Sequence, residues 1–509
     1  MTMTALTKVT RRSFNGGVVG AALYPFLAPS AKAMFAEDTP RSVTPAEIAY
    51  LMADGAERPA SLTMKLERGV PSIKRFWIEN RRDPAQTFEW RVHVERGGKY
   101  EVTLMVSAPP GTPISIEGPH NKLSCETTQP GFYGCYWDRI TLPAPLTLPK
   151  GESTIRVHLV KPVTEGRDGT ALKSIELLDV KARPAFDARI RAFRSDASWL
   201  TDAKFGFMCQ CGEWSYPPHG PHKPWPEMVD KFDVKKYADL VDSTGSGYAI
   251  WSATWATYFS PAPIHAIDEI MPGRTSKRDL IGDMADALAK RNIRLMLYYH
   301  LGHDQSPQNG AWWSKNWVSA SDKSLFIRNW CSILTEVGLR YGDRLAGWMF
   351  DDELIYYPMP YEVVGKAAKA GSPARIISYN PWIQARGTDF QDFQFGEGFR
   401  GSDALPESAH GIWPSRPMKG LEAHGSFQVD GPNWGINRPD EKITSPLLHR
   451  GGGNRLCPRG GAAQCGVELE PRNVRRRKRI GRIAQGPSTG WKRRAEILPE
   501  ETEVRNLTI

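Results

Sequence analysis

Residues 344–353 read RLAGWMFDDE, an apolar run of strand length that ends in three consecutive carboxylates. An apolar run of this length predicts a strand buried in a core. Asp351, Asp352 and Glu353 then fall where the strand leaves the core and meets solvent. In a (β/α)8 barrel, acids at the carboxyl ends of strands lie on the catalytic face. The alternative interpretation is a solvated strand end whose acids cap the following helix.

Strand and helix patterns alternate around this run. Apolar strand patterns occur at 205–210, 248–254, 294–300 and 375–380, and amphipathic helix patterns at 234–243, 279–292, 326–341 and 362–370. Such alternation is typical of parallel βα units. No glycine-rich phosphate turn follows the first strand, so the pattern favours a closed barrel over an open dinucleotide-binding sheet. We therefore predict an α/β, (β/α)8 TIM-like barrel over residues 200–445, with weaker strand patterns at 392–397 and 425–429.

The residues before the barrel have a different period. Segments 99–106, 153–160 and 174–180 alternate between apolar and polar residues, and Pro- and Gly-rich turns separate them. This pattern predicts an all-β sandwich over 61–190. The order of these strands resembles jelly-roll carbohydrate-binding modules, with a purely structural sandwich as the alternative. Residues 34–60 are predicted to be a connecting segment, and 186–200 a short polar linker.

The N-terminal 33 residues have the parts of an export signal. Arg11 and Arg12 resemble the twin-arginine motif, a weakly apolar stretch follows at 16–28, and 31–33 read AKA, an A-x-A-like cleavage site. The apolar stretch is too short to span a bilayer, so no stable membrane span is expected. These features predict a periplasmic or extracellular protein.

The formal charge of +10 is concentrated at the two ends of the chain. Thirteen Lys and Arg but only six Glu follow Arg450, and four basic residues without an acid precede residue 34, so residues 34–450 are close to neutral. We therefore expect no nucleic-acid partner. The Arg- and Gly-rich residues 446–509 contain few large apolar side chains and are predicted to be a poorly structured tail. A nucleic-acid-binding tail and a shifted reading frame are the alternatives.

Acids and aromatic residues fall together at the predicted mouth of the barrel. Glycoside hydrolysis requires two carboxyl groups across one sugar, one as nucleophile or base and the other as proton donor. Besides Asp351, the candidates for the proton donor are Glu397 first, then Glu353 and Glu422. Aromatic side chains there could stack on a sugar: Trp214, Trp251, Trp255, Tyr258, Trp312, Trp313 and Trp434. The seven Cys include no C-x-x-C pair and no zinc-type spacing, so no metal or cofactor is expected.

Several segments, in order, resemble the α-L-fucosidases of glycoside hydrolase family 29. They are 204–215 (KFGFMCQCGEWS), 232–254, 277–282 (KRDLIG), 294–299 (RLMLYY), 341–352, and later Glu422 with 433–437 (NWGIN). The resemblance covers about residues 200–440. It implies a barrel that hydrolyses a glycan or glycoconjugate with retention of configuration. It also implies that Asp351, which matches the Asp of the family's "WFDG" segment, is the nucleophile.

The sequence departs from the family at the residues that hold the sugar. Gln210 occupies the position of a His that contacts fucose, and Trp255 and Ala256 occupy those of a tandem His pair. His300 and His303 could supply replacement contacts. The predicted substrate-binding residues are Gln210, Trp214, Trp255, Tyr258, His300, His303 and Trp434. The alternative to an active glycosidase is a non-catalytic carbohydrate-binding protein on a degenerate barrel.

Overall fold

The computed structural model describes two regions of regular structure, an N-terminal all-β region and a C-terminal α/β region. The described residues are 41–57, 64–66, 76–80, 85–109, 111–127, 138–160, 170–203, 205–216, 220–254, 258–300, 312, 315–316, 323–351, 357–380, 388–395, 421–428 and 466–470. The predicted export signal lies outside them. Within them, no helix is both long enough and apolar enough to cross a membrane.

The N-terminal region consists of two sheets. Its strands are β1 Arg41–Val43, β2 Ala49–Met52, β3 Met64–Leu66, β4 Phe76–Asn80, β5 Ala85–Val94, β6 Gly98–Ser107, β7 Pro113–Glu117, β8 Lys122–Glu126, β9 Asp138–Thr141, β10 Leu146–Leu148, β11 Gly151–Val160 and β12 Thr170–Asp179. One sheet has the order β1-β5-β11-β7-β8, and the other the order β10-β6-β12-β4-β3 with β2 and β9 also attached. All pairs are antiparallel except β1 with β5.

The prediction of a connecting segment at 34–60 is wrong for the residues of β1 and β2. β1 pairs with β5 and β2 pairs with β12, so both belong to the sheets. Val43 and Leu51 are fully buried in the core between them. These strands have three and four residues, which is too short for an alternation that sequence inspection detects.

Strand β12 is buried on both faces over all ten of its residues. Leu172, Ile175 and Leu177 face the core between the two sheets. On the other face, Ala171 and Leu178 belong to a second apolar cluster that also contains helix and strand residues of the C-terminal region. A sheet with one solvated face would alternate buried and exposed residues. The seven-stranded sheet is therefore covered by the α/β region.

Two helices connect the regions, where a polar linker at 186–200 was predicted. They are α1, Arg183–Phe193, and α2, Ser198–Ala203. Phe186, Ile190 and Phe193 are buried, at the spacing of one helix face. The prediction was wrong because arginines between these residues mask a narrow apolar stripe.

The C-terminal region is an eight-stranded sheet with helices. The strands are β13 Phe205–Cys209, β14 Tyr248–Thr254, β15 Arg294–Tyr299, β16 Leu345–Phe350, β17 Ile376–Tyr379, β18 Phe393–Gln394, β19 Glu422–Gln428 and β20 Gly466–Glu470. The helices are α3 Trp225–Asp230, α4 Val234–Thr244, α5 His265–Ile270, α6 Leu280–Ala289, α7 Ser324–Tyr341 and α8 Tyr361–Ala368. The strand order is β17-β16-β15-β14-β13-β20-β19-β18, and all seven pairs are parallel.

The predicted α/β class is confirmed, and the predicted strands and helices match the observed ones within a few residues. The two strands at the ends of the sheet order, β17 and β18, lie close together, since the N–H of Asp392 donates to the carbonyl of Ile377 at 2.9 Å. Strand β20 falls within residues 446–509, which were predicted to be poorly structured, and it pairs with β13 and β19. That prediction is wrong for residues 466–470, whose five-residue strand carries too few apolar residues to stand out.

Side chains alternate between the two faces of this sheet. Met208, Met296 and Met349 belong to a cluster on one face, together with Tyr248, Ile250, Tyr298, Ile376, Phe393 and Phe395. Phe207, Leu297 and Phe350 lie on the other face, in the cluster that contains the helices. The cluster on the first face also contains Ala197 and Leu200, from helix α2 and the residue before it. The face that carries Met208, Met296 and Met349 is called the interior face below. A residue two positions beyond an interior residue continues on that face, which places the side chains that follow the strands.

Candidate active site

Asp351 directly follows β16 and is held by residues from both neighbouring strands. It is 8% exposed. The hydroxyl of Tyr298, in β15, donates to its Oδ2 at 2.5 Å, and Nδ2 of Asn380, which follows β17, donates to its Oδ1 at 2.7 Å. Each carboxylate oxygen therefore accepts a hydrogen bond from the side chain of a residue on a different neighbouring strand segment.

The main chain fixes these three residues in register. The N–H of Asp351 donates to the carbonyl of Tyr299 at 3.0 Å, and the N–H of Asn380 donates to the carbonyl of Phe350 at 2.6 Å. The parallel ladders thus continue one residue beyond β16 and β17. Because the side chain and the backbone are both bonded, Asp351 has a defined orientation at the carboxyl edge of the sheet.

Two predicted binding residues follow strands at the same edge, β15 and β13, which are separated by β14. His300 follows β15 and is 2% exposed, with its ring centroid 6.0 Å from that of Tyr298. Its carbonyl accepts a hydrogen bond from Oγ1 of Thr254 at 3.2 Å. Gln210 follows β13, and its Oε1 is buried without a hydrogen-bond partner in the described part of the chain. An unsatisfied buried acceptor is costly, so a ligand hydroxyl could satisfy it.

Trp214 lies in the turn after β13 and is partly exposed. Gly212 permits this placement, because a Cβ there would lie 2.3 Å from Nε1 of the indole. The N–H of Gly212 donates to Oγ of Ser215 at 3.2 Å and closes the turn. Trp214 is therefore held near the same edge as Gln210.

Tyr258 does not have the exposed ring that a sugar platform requires. Its side chain is fully buried, its φ is +63°, and its ring stacks on Trp312 with centroids 3.6 Å apart. Trp312 is also buried, and Trp251 packs on the helix side against Phe232 and Tyr237. The prediction of sugar contact is wrong for Tyr258, whose ring is core packing.

Glu422, a second choice for the proton donor, lies at the other edge of the sheet. It is the first residue of β19, and its Oε2 accepts a hydrogen bond from Oγ1 of Thr201 at 2.5 Å. Burial, with smaller contributions from Asp196 and Asp202, raises its pKa. Because all strands are parallel, Asp351 and Glu422 are at opposite edges, and this candidate is wrong.

The remaining predicted site residues lie outside the described residues and stay predictions. They are the proton-donor candidates Glu397 and Glu353, the binding candidates Trp255, His303 and Trp434, and the stacking candidate Trp313. In the described part of the chain, no group of three or more His, Cys, Asp or Glu could hold a metal ion.

Sequence reasoning missed Tyr298 and Asn380, the two residues that hold Asp351. Both lie in predicted strand segments, at 294–300 and 375–380. The signal that could have found them is the alternation of side chains between the two faces of a strand. Tyr298 shares a face with Met296, and Asn380 is the polar residue that ends its apolar run. In a parallel sheet, a polar side chain on the interior face at the end of a strand is a candidate site residue.

Comparison with known proteins gives structural neighbours only. No family model and no curated protein matches the sequence. Solved structures that are similar include an unliganded α-L-fucosidase from Lactobacillus casei (15% identity, 54% of this chain and 90% of that chain, TM-score 0.36). A family 29 α-L-fucosidase from Bacteroides thetaiotaomicron is 14% identical over 54% of this chain and 68% of that chain (TM-score 0.36). An endo-fucoidan hydrolase of glycoside hydrolase family 107 is 16% identical over 54% and 49% (TM-score 0.41). Likeness at this level assigns neither a family nor an activity.

Proposed function

We propose that this chain is a retaining glycoside hydrolase resembling α-L-fucosidases, which acts on a glycan or glycoconjugate with Asp351 as the nucleophile. The observation that carries the proposal is the pair of hydrogen bonds from Tyr298 and Asn380 to the two oxygens of a buried carboxylate at a strand end. The proposal includes closure of the eight parallel strands into a (β/α)8 barrel and a jelly-roll arrangement of the sandwich.

In the first step, a carboxylate oxygen of Asp351 attacks the anomeric carbon of the sugar. The glycosidic C–O bond breaks, and a second carboxylic acid donates its proton to the leaving oxygen. Glu397 is the first candidate for this acid and Glu353 the second. Tyr298 and Asn380 hold Asp351 in one orientation, which lowers the entropic cost of reaching the reactive geometry.

In the second step, the same acid residue, now a carboxylate, removes a proton from water. The water oxygen attacks the anomeric carbon, and the ester bond to Asp351 breaks. The sugar is released with its original configuration, and both carboxyl groups return to their starting states. In retaining enzymes the two carboxyl groups lie roughly 5 Å apart, which is the spacing we expect between Asp351 and the true acid.

Substrate contacts are proposed for residues that follow the strands at the same edge. Gln210 and His300 would bond sugar hydroxyls, and Trp214 would stack on a sugar face. His303, Trp255 and Trp434 remain candidates from the sequence. Since Gln210 and Trp255 replace histidines of the family, the sugar need not be fucose.

The test is a panel of aryl glycosides, α-L-fucoside included, with the purified full chain and an Asp351→Gly variant. The wild type should release the phenol from at least one substrate, and the variant should not. Azide added to the variant should attack the anomeric carbon from the vacated side and give a glycosyl azide of inverted configuration. Full activity of the variant without azide would contradict the proposal.

The second candidate function is carbohydrate binding without turnover. The residues that favour it are Gln210 and Trp255, which stand where the family has imidazoles. Glycan-array binding, measured together with the aryl glycoside panel, separates the two functions. Binding without hydrolysis of any substrate would favour this second function.

We also propose export through the twin-arginine pathway to the periplasm or beyond. The Arg11-Arg12 pair and the following apolar stretch support it. Replacing both arginines by lysine should retain the protein in the cytoplasm in a fractionation experiment. Unchanged export of the double variant would contradict this proposal.

A further inference from the structure

We infer that the sandwich contributes to the candidate site, because β12 holds Tyr357, which follows Asp351 in the chain, through hydrogen bonds to the Tyr357 hydroxyl. Tyr357 is, in this inference, a positioning residue, and the inference rests on the proposed function of Asp351. It differs from the predicted role of the sandwich as a separate carbohydrate-binding module.

Tyr357 is the first described residue after Asp351 and is 2% exposed. Its hydroxyl donates to Oε1 of Glu176 at 3.0 Å and accepts from Oγ of Ser174 at 2.8 Å. Both partners belong to β12. Burial, reinforced by the Glu176 carboxylate, raises the pKa of Tyr357 well above its usual value, so the hydroxyl keeps its proton. A hydrogen bond to a charged acceptor is stronger than one between neutral groups.

The partners on the sandwich are themselves fixed. The register of β12 against β6 shifts between Leu172 and Ser174, and this bulge directs Ser174 and Glu176 to the face that meets the α/β region. Nε and Nη2 of Arg139 donate to the two oxygens of Glu176 at 3.0 and 2.6 Å. All three side chains are buried, so the acceptor for Tyr357 has one orientation.

The α/β region fixes the main chain of the same residue. Nζ of Lys323, which is 4% exposed, donates to the carbonyls of Tyr357 and Pro358, both at 3.2 Å. The ring of Tyr357 meets Tyr50 edge-on with centroids 5.8 Å apart. Tyr357 is thus held by its carbonyl from one region and by its hydroxyl from the other.

The two regions also share an apolar core. Met105, Ala171 and Leu178 of the sandwich belong to the same buried cluster as Phe186 and Ile190 of α1. A tethered module has a polar, mobile junction, whereas this junction is apolar and continuous. Movement of β12 would therefore displace Tyr357.

The described outward side chains of β5, β7 and β11 do not form an aromatic platform for a sugar. Among the described residues of β5, β7 and β11, the outward side chains include no Phe, Tyr or Trp. They form cross-strand ion pairs instead, such as Arg156 with Glu89 at 2.7 Å and His158 with Glu117 at 3.3 Å. This face favours a structural role of the sandwich over sugar binding.

The experiment compares Tyr357→Phe and Ser174→Ala with a matched control, Glu47→Gln. Glu47 is in the N-terminal region and pairs with Arg189 of α1 at 2.9 Å, but it does not touch Tyr357. The readouts are hydrogen–deuterium exchange of peptides spanning residues 351–361, and kcat and KM for the best aryl glycoside. The first two variants should raise exchange there about ten-fold, the effect of losing one buried hydrogen bond.

In the same variants kcat should fall about ten-fold with KM less affected, and Tm should stay within a few degrees of the wild type. The control should change neither exchange nor kcat. Unchanged exchange in Tyr357→Phe would contradict the claim that β12 holds this part of the chain through Tyr357. Raised exchange with unchanged kcat would contradict the positioning role of Tyr357.

If the wild type hydrolyses no glycoside, the proposed function fails separately. Exchange and glycan binding then decide the inference: raised exchange with weakened binding supports it, and unchanged exchange or unchanged binding overturns it.

Discussion

The two edges of the parallel sheet both carry buried polar clusters, and the clusters differ in what their donors bind. At the carboxyl edge, Tyr298 and Asn380 converge on the side chain of Asp351. At the amino edge, Arg375 is 1% exposed and donates only to main-chain carbonyls. Those carbonyls belong to Gly338, Gly342, Leu345, Ala368 and Ala370, near the ends of α7 and α8 and the start of β16.

A second cluster at the amino edge contains a buried carboxylate, that of Asp392. Nζ of Lys369 donates to Oδ1 of Asp392 at 2.8 Å and to the carbonyl of Phe193. Asp392 also accepts from the N–H groups of Ser195 and Ile377. Burial of polar groups therefore does not identify the site. Asp392 accepts from a lysine and from two main-chain N–H groups, whereas the side chains of Tyr298 and Asn380 donate to Asp351. The distinction is whether the carboxylate holds main-chain groups in place or is itself oriented by side chains at a strand end.

The sharpest test of this comparison is Asp351→Ala. It should lower kcat/KM for an aryl glycoside by roughly 10⁴-fold, the scale of losing a nucleophile. Tm should change by only a few degrees, because the main-chain hydrogen bonds of Asp351 and Asn380 remain after the substitution. Steady-state kinetics and thermal unfolding together check it. Collapse of the fold would show that the carboxyl edge is structural as well.

Arg375→Met should have the opposite effect, a loss of stability without a loss of kcat. Five carbonyls would lose their donor, so the free energy of unfolding should fall by about 3–5 kcal/mol. Burial lowers the pKa of Arg375 to about 10, so the group is charged at neutral pH. Urea unfolding measures the loss, and the kcat of the folded fraction should be unchanged. A loss below about 1 kcal/mol would contradict the assignment.

His424, on the interior face between the two edges, should make the fold sensitive to acid. It is fully buried, its Nε2 bonds the hydroxyl of Tyr248 at 2.8 Å, and burial lowers its pKa to about 3. Because folding lowers the pKa of His424, its neutral form stabilises the fold fully above the unfolded pKa of about 6.5. This stabilisation is lost as the pH decreases toward the pKa of the folded state. Between pH 6.5 and pH 4, this group should lower the free energy of unfolding by about 3 kcal/mol.

A His424→Phe variant provides the comparison for this acid sensitivity. Its free energy of unfolding should depend less on pH over that interval than that of the wild type. Parallel slopes for the two proteins would refute the prediction.

Tyr298→Phe removes one donor from Asp351 and keeps the interior packing. We expect kcat to fall 10- to 100-fold, since an oriented hydrogen bond to a charged group contributes about 1.5–3 kcal/mol. Asn380→Ala should give a loss of similar size through the other oxygen. Kinetics on the substrate found in the aryl glycoside panel measure both, and an unchanged kcat in both variants would contradict the assigned geometry.

Glu422→Gln should have the smallest effect. At the amino edge its carboxylate cannot serve as the proton donor, so kcat should stay within about two-fold, unlike loss of a true acid. Its raised pKa means that the protonated form is favoured by folding, and this contribution is lost as pH rises. Glutamine removes that dependence, so Tm at neutral pH should be equal or higher. A large loss of kcat would restore Glu422 as a catalytic candidate.

The sequence predicted what local periodicity determines. The alternating strands and helices of the α/β region, and the place of Asp351 and His300 after their strands, follow from long apolar runs that need no partner information. The short strands β1, β2 and β20 were missed because pairing with distant strands, not their own pattern, makes them strands. Propensity is weak over so few residues.

The site was predicted only in part, because it also depends on pairing between strands that are distant in sequence. A strand end marks Asp351 as a candidate, but the donors to its oxygens come from two other strands, and only the sheet register brings them together. Tyr258 illustrates the reverse error. An aromatic residue beyond a strand can turn back into the core, as its stacking on Trp312 shows.

The position of β20 constrains the order in which this region can be assembled during synthesis. β13 is the first strand of its sheet to be made, yet one of its two neighbours is the last described strand, about 250 residues later. Joining them costs roughly 5 kcal/mol of chain entropy. Until that strand leaves the ribosome, β13 and β19 expose unpaired backbone groups, which are templates for aggregation. A chain released before residue 466 would lack the strand that pairs with both β13 and β19.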